Sequence, residues 1–174
     1  IKRPTSSASN IVIWPRTRLD AIEQHISDRF RLAVVIGAGC GLRQGEILGL
    51  GTEDIDRDSM VVHVHRQIRM VERHLVFALP KGGKTRVVPL SRAVLDRITA
   101  HLDDFPPCST TLPWENPDGE PLTTDLLMTG DSGRLYSGDL FNKVIWQGAF
   151  RSAGLVYRKR ADGMHALRHF FAST

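Results

Sequence analysis

Apolar residues recur at helical spacing along much of the chain and predict its main helices. The first run follows Pro15 and consists of five apolar positions three or four residues apart, Leu19, Ile22, Ile26, Phe30 and Val34. Glycines at positions 37, 39 and 41 predict the end of this helix and a closely packed turn after it. Further helical patterns follow around residues 47–50, 91–102, 140–149 and 162–171, where Ser91 and Asp162 are the expected caps.

Alternating apolar and polar residues predict three strands in the middle of the chain. Residues 60–66 form the first, residues 68–79 its expected partner, and residues 85–90 the third, after a turn at Gly82 and Gly83. Five of the nine prolines lie between residues 105 and 122, which predicts a surface excursion there. The predicted fold is mainly α-helical with one small three-stranded antiparallel β-sheet, an α+β class.

Length and composition limit the kind of protein this can be. With 174 residues, 41% of them hydrophobic, the chain can bury one core, and we expect one domain at residues 11–174 after a polar linker or arm at 1–10. Two cysteines exclude a disulfide framework and a four-cysteine zinc site. The sequence has no apolar stretch near the ~20 residues of a membrane span and no signal peptide pattern, so we expect a cytoplasmic protein.

Charge is distributed unevenly along the chain. The formal net charge is +4. Residues 134–174 carry seven lysines and arginines against two acids, whereas residues 96–125 carry seven acids against one arginine. This separation predicts one basic side, which favours a polyanionic partner such as nucleic acid.

Three short motifs contain residue types that handle phosphate. The first, GLRQGE at 41–46, places an arginine one helical turn from an acid. The second, PKGGKTRVVPL at 80–90, carries two lysines and an arginine around a glycine turn. In the third, MHALRHFFA at 164–172, two histidines and an arginine share one helical edge. A guanidinium grips phosphate oxygens bidentately, and an imidazole beside it can share or move a proton.

In this order, G-L-R-x-x-E, K-x-x-K-x-R-x-V-P-L and H-x-L-R-H, the motifs resemble the catalytic domain of the tyrosine recombinases, the phage integrase family. The resemblance covers nearly the whole chain. It implies that family's catalytic-domain fold and a site-specific recombinase from a mobile element. Such an enzyme breaks and rejoins DNA through a 3′-phosphotyrosyl intermediate and needs no metal or other cofactor.

The resemblance assigns the phosphate-binding roles residue by residue. Arg43 and Arg168 would clamp the scissile phosphate, and Glu46 would hold a guanidinium in place. His165 would contact the same phosphate and assist proton movement. For His169 we expect a structural hydrogen bond.

The second motif contains the expected general acid. Lys81 matches the family lysine that protonates the leaving 5′-oxygen. Lys84 is its rival, because a shift of three residues exchanges the two. Beyond the catalytic set, the residues expected to contact DNA are Lys84, Arg86, Arg158, Lys159 and Arg160.

The nucleophilic tyrosine of the family is expected after the second arginine. Tyr136 and Tyr157 are the only tyrosines, and both precede Arg168, so neither is nominated. We therefore expect a catalytic-domain fragment without its C-terminal segment, one that binds double-stranded DNA without cleaving it. We expect a monomer in solution, whereas the intact parent would be tetrameric on DNA.

Two other functions are compatible with parts of the sequence. A non-catalytic DNA-binding module would keep the fold and the basic face, and its binding would survive loss of the two arginines. A metal-dependent nuclease would need an acidic cluster near them, where only Glu46 is present. His63, His65 and His74 make a poor zinc set, because no cysteine or aspartate accompanies them in the motif, and no metal site is predicted.

Overall fold

The structure is a computed structural model that describes residues 13–174, so the predicted arm at 1–10 lies outside the described residues. The helices of the described part are α1 Arg16–His25, α2 Asp28–Cys40, α3 Gln44–Leu48, α4 Arg92–Asp104, α5 Gly138–Phe141, α6 Gln147–Ser152 and α7 His165–Phe171. A π-helical segment, Asn142–Trp146, joins α5 to α6. None of the helices within residues 13–174 has the length and apolar character needed to cross a bilayer.

The strands found in residues 13–174 form one three-stranded sheet and two hairpins. They are β1 Ile55–Asp56, β2 Val61–Val64, β3 Gln67–Val71, β4 His74–Ala78, β5 Arg86–Pro89, β6 Cys108–Pro113 and β7 Pro121–Leu126. The sheet has the order β1-β2-β5, and β3–β4 and β6–β7 pair separately, all of them antiparallel. The predicted α+β class with a small antiparallel sheet is confirmed, and the two hairpins add to it.

The predicted partner of the first strand is wrong. Residues 68–79 fold back on themselves as β3 and β4, with Glu72 and Arg73 in the left-handed region at the turn (φ 47° and 68°). β2 instead pairs with β5, where Val62 lies opposite Val88. The sequence did not reveal this turn because neither glycine nor proline marks it.

The proline-rich stretch is more regular than predicted. It forms the largely exposed β6–β7 hairpin, in which Pro113 pairs with Pro121 next to the turn. In a two-stranded sheet both strands are edges, and each tolerates a proline whose missing N–H would face away from its partner. The hydroxyls of Thr111 and Thr123 share a hydrogen bond of 2.8 Å across the pair.

The first predicted helix is two helices. α1 ends at His25, the extended backbone of Ile26 (ψ 149°) turns the chain, and α2 begins after Ser27. Ile22, Ile26 and Phe30 are all buried. The apolar spacing therefore continues across the break, which explains why periodicity predicted a single helix.

Helix α2 lies at the centre of the core, where it packs against α1, α3, α4 and α7. Its approach to α7 depends on Gly37, because a Cβ there would lie 2.6 Å from Cδ1 of Leu167. This close contact sets α7 beside the C-terminal end of α2. The two arginine motifs, which are more than 120 residues apart in sequence, meet there.

Candidate active site

Arg43 and Glu46 form the first part of the site, at the start of α3. The side chain of Glu46 is fully buried, whereas that of Arg43 is 41% exposed. The Glu46 carboxylate accepts a hydrogen bond from the backbone N–H of Arg43 at 2.8 Å and another from its Nη1 at 3.1 Å. One carboxylate thus caps the helix start and holds the Arg43 guanidinium.

Arg86 reaches the same carboxylate from strand β5. Its Nη1 donates to Oε1 of Glu46 at 2.9 Å and its Nη2 to Oε2 at 2.6 Å. Burial alone would raise the pKa of Glu46, but the hydrogen bonds from Arg86 and Arg43 outweigh it and hold that pKa below its ordinary value. The hydrogen bonds to Glu46 raise the pKa of Arg86 in turn. Arg86, predicted to contact DNA, is therefore engaged with Glu46 in this structure.

Arg168 occupies α7 and touches the end of α2. Its Nη1 donates to the carbonyl oxygen of Gly41 at 2.6 Å, which uses one of its five N–H donors. Gly41 has φ 64°, a left-handed conformation, and a Cβ there would collide with the ring of Phe171. Glycine is required at this position for both reasons, and its carbonyl orients Arg168.

His165 and His169 lie one turn apart on α7. The exposed His165 ring contacts the carbonyl oxygen of Arg160 through Nε2 at 3.1 Å. It meets the ring of His169 edge-on, with centroids 5.7 Å apart. Within residues 13–174 the His169 ring has no hydrogen bond, although the sequence predicted a structural one.

A cleft of about 450 Å³ brings these residues together. Arg43, His165 and Arg168 line it, with Lys159 and Arg160 on one side. Among the residues that the structure describes, four cationic side chains line the cleft and no carboxylate does, because Glu46 is buried beneath Arg43. Such an arrangement can bind an anion with several oxygens, such as a phosphodiester.

The basic loop beside the cleft is fastened by Asp162. Its carboxylate is fully buried and accepts hydrogen bonds from Trp14, Arg18 and Arg158, all between 2.8 and 3.1 Å. Burial would raise the pKa of Asp162, but the bonds from Arg158 and the charge of Arg18 lower it. The prediction that Asp162 caps the last helix is wrong, because α7 begins only after Met164. Arg158, predicted to contact DNA, is bound to Asp162 and keeps about half of its side chain exposed.

Neither lysine of the second motif lines the cleft. Lys81 is exposed on a turn and lines a separate hollow with Gln67 and Glu115. Gly82 and Gly83 follow it with φ of 88° and 68°, and no atom of residues 13–174 lies within 4 Å of where their Cβ atoms would be. Lys84 is also exposed. The turn therefore lies at the surface, at the edge of that hollow.

The strand histidines have other partners. His65 lies 3.3 Å from Asp54, and His63 lies 4.0 Å from Asp56. His74 contacts the carbonyl oxygen of Glu72 within its own turn. Over residues 13–174, no group of three or more histidines, cysteines or acids is arranged to hold a metal ion.

Comparison with known proteins decides the family. A model of the phage integrase family matches residues 17–174, which is almost all of the described chain. The chain belongs to the phage integrase family.

Relatives of this integrase-family chain are tyrosine recombinases. A tyrosine recombinase XerC-like protein of Caldanaerobacter subterraneus subsp. tengcongensis is 26% identical over 168 residues, covering 88% of the chain and 39% of that relative. The Tn1549 transposon integrase, solved in complex with transposon right end DNA, matches with a TM-score of 0.75 at 16% identity, covering 96% of this chain and 54% of the other. The XerA recombinase matches with a TM-score of 0.63 at 18% identity, covering 99% and 51%.

These matches confirm the predicted tyrosine-recombinase catalytic-domain fold. The integrase-family chain spans only about two fifths to half the length of these relatives. Sequence motifs located Arg43, His165 and Arg168, which the structure brings to one cleft. They missed the bonds of Glu46 to Arg86 and of Asp162 to Arg18, because the partners are 40 and 144 residues apart. The signal that could have identified Asp162 was its position as a single acid within a basic segment.

Proposed function

We propose that this chain is the catalytic part of a site-specific DNA recombinase and binds double-stranded DNA through a phosphodiester in the Arg43–Arg168 cleft. The observation that carries the proposal is the convergence of Arg43, His165 and Arg168 on one cleft without a lining carboxylate in the described part of the chain. The DNA complex of the Tn1549 integrase, a relative in fold, supports DNA as the partner. The chain acts in the cytoplasm, where it has access to DNA.

The two arginines act on the non-bridging oxygens of the phosphate. A pentacoordinate transition state carries extra charge on those oxygens, and fixed guanidinium groups stabilise it without reorganising. Glu46 and the Gly41 carbonyl hold Arg43 and Arg168 in advance of binding. His165 contacts the same phosphate and shares a proton with it, after exchanging its bond to Arg160 for one to the DNA.

Lys81 is the proposed general acid, with Lys84 as its alternative. Both lie outside the cleft here, so the turn has to move toward the phosphate when DNA binds. The glycines at 82 and 83 leave open space around the turn, which permits that movement. An ammonium brought against DNA by such a turn can protonate the leaving 5′-oxygen.

Strand breakage and rejoining is proposed for the whole protein, of which this chain spans a part. The reaction would proceed through a 3′-phosphotyrosyl bond. Because this covalent bond keeps the energy of the broken phosphodiester for rejoining, no cofactor is needed. Tyr157 reaches the cleft, but its hydroxyl is engaged with Asn142, and we assign it no nucleophilic role. The chain by itself is proposed to be a DNA-binding monomer, and the whole protein a tetramer on DNA.

The test is duplex-DNA binding at two salt concentrations, comparing the chain with an Arg43→Ala/Arg168→Ala variant. The matched control is Arg16→Ala/Arg92→Ala, which removes the same charge from exposed side chains outside the cleft. We expect salt-sensitive binding that falls at least about tenfold in the cleft variant and much less in the control. An equal loss in both variants would refute the phosphate site.

One observation favours a second function, a DNA-binding module without catalysis. Lys81, the proposed acid, lies in a hollow with Glu115 instead of the cleft. A module of this kind would bind through its basic face as a whole. Binding that is unchanged in the Arg43→Ala/Arg168→Ala variant would identify it.

A further inference from the structure

Arg86 makes the most complete contact with the buried carboxylate of the site. Its two terminal nitrogens meet the two oxygens of Glu46, the bidentate geometry that fixes a carboxylate most firmly. Arg43 reaches the same oxygens with one side-chain N–H at 3.1 Å and its backbone N–H. Glu46 therefore holds Arg43 while being held itself by Arg86.

Arg43 gives the fully buried Glu46 carboxylate only one guanidinium N–H, and a buried charge is costly unless it is well paired. Without Arg86, the buried carboxylate would have Arg43 as its nearest positive partner and would draw that guanidinium into a bidentate pair. The donors of Arg43 would then point toward Glu46 instead of the cleft. With Arg86 present, one guanidinium N–H of Arg43 serves Glu46, and the other guanidinium donors remain for an anion.

Arg86 is near the cleft without lining it. It lines a separate groove of about 280 Å³ with Gly41, Phe171 and Arg168. Its side chain is 30% exposed, less than the 41% of Arg43. These positions fit a residue that acts through Glu46 better than one that grips DNA directly.

We propose that Arg86 is a positioning residue, which by fixing the Glu46 carboxylate keeps the Arg43 guanidinium directed into the cleft. The inference rests on the proposed function, because it needs Arg43 to bind a DNA phosphate. It revises the role expected from sequence, in which Arg86 contacted DNA directly. The pairing across β5 and α3 is the physical basis of the new role.

A double-mutant cycle between Arg86 and Arg43 tests the proposal. Duplex-DNA affinity is measured for the unchanged chain, Arg86→Met, Arg43→Ala and the double variant. We expect Arg86→Met to weaken binding about tenfold in the unchanged chain and less than about twofold once Arg43 is alanine, because coupled residues are not additive. Equal losses in both backgrounds would overturn the inference and indicate direct phosphate contact or a general effect on folding.

Two further variants separate positioning from stability. Arg86→Lys keeps the charge but cannot make both hydrogen bonds to Glu46, so its DNA affinity should lie between those of Arg86→Met and the unchanged chain. If Arg86→Met does not fold, Arg86→Lys replaces it in the double-mutant cycle. Arg97→Met is the matched control, since Arg97 pairs with Glu23 away from the cleft. This control should leave affinity within about twofold.

The results also distinguish a failure of the Arg86 positioning role from a failure of the proposed phosphate site. Loss of affinity in Arg43→Ala but none in Arg86→Met would overturn the positioning role alone. No loss in Arg43→Ala would overturn the phosphate site and the inference with it. Recovery by Arg86→Lys together with a non-additive cycle is the result that supports both.

Discussion

At the scale of single residues, the site depends on a carboxylate that remains charged inside the protein. Glu46 is fully buried, and two arginines together lower its pKa below the ordinary value. A group whose pKa is lower in the folded state stabilises that state above the pKa of the unfolded chain. This stabilisation is lost as the pH falls below the ordinary glutamate pKa of about 4.3 and through the lower folded value.

Glu46→Gln should therefore destabilise the fold in a pH-dependent way. We expect a loss of about 1 to 3 kcal/mol in the free energy of unfolding at pH 7, because the four hydrogen bonds that the carboxylate accepts become weaker and Arg86 loses its counter-ion. The difference from the unchanged chain should shrink as the pH is lowered below about 4. Urea unfolding across that range measures it, and a difference that grows toward acid would contradict the assigned charge.

Both its backbone conformation and its packing restrict Gly41 to glycine. Gly41→Ala should lower stability by more than the roughly 1 to 2 kcal/mol of a left-handed alanine, because its Cβ would also collide with Phe171. Gly83→Ala is the matched control, with a similar φ of 68° but open space around it. Thermal unfolding of both variants checks this, and equal losses would show that Phe171 does not restrict Gly41.

At the scale of elements, the sequence predicted the helices and strands that carry an unbroken pattern. It failed where apolar spacing continued through a turn, as at Ile26 and between β3 and β4. It located the arginines because each lies in a short local motif. It could not locate the pairs Glu46–Arg86 and Arg18–Asp162, since these form only when distant elements pack together.

The basic loop between Tyr157 and α7 is held in place by one such contact. Asp162→Asn would keep the volume but weaken the bonds to Arg18 and Arg158, so we expect a loss of about 2 to 4 kcal/mol in stability. In the variant, hydrogen exchange of the loop amides should increase relative to the unchanged chain, and by more than that of the α2 amides. Hydrogen-exchange mass spectrometry measures this, and unchanged protection of residues 157–163 would contradict the anchoring role.

At the scale of the whole molecule, the basic side predicted from the charge distribution includes the cleft. Of the described residues, four lysines and arginines line it, whereas the acid-rich segment lies on α4 and the β6–β7 hairpin, which contribute no residue to the lining. If these four cations contact DNA phosphates, the plot of log affinity against log salt should have a slope of about −3 to −4. In Arg43→Ala/Arg168→Ala the slope should fall to about −2, as fluorescence anisotropy can measure. An unchanged slope would mean that the contacts lie elsewhere.

The most direct test of the phosphate site is to observe the arginines themselves. Nitrogen-15 spectra of the arginine side chains, assigned with the single variants, would be recorded while duplex DNA is added. The account predicts that the signals of Arg43 and Arg168 shift together and saturate at one affinity, while that of exposed Arg92 stays in place. Shifts at Arg92 and other surface arginines, with Arg43 and Arg168 unchanged, would contradict it.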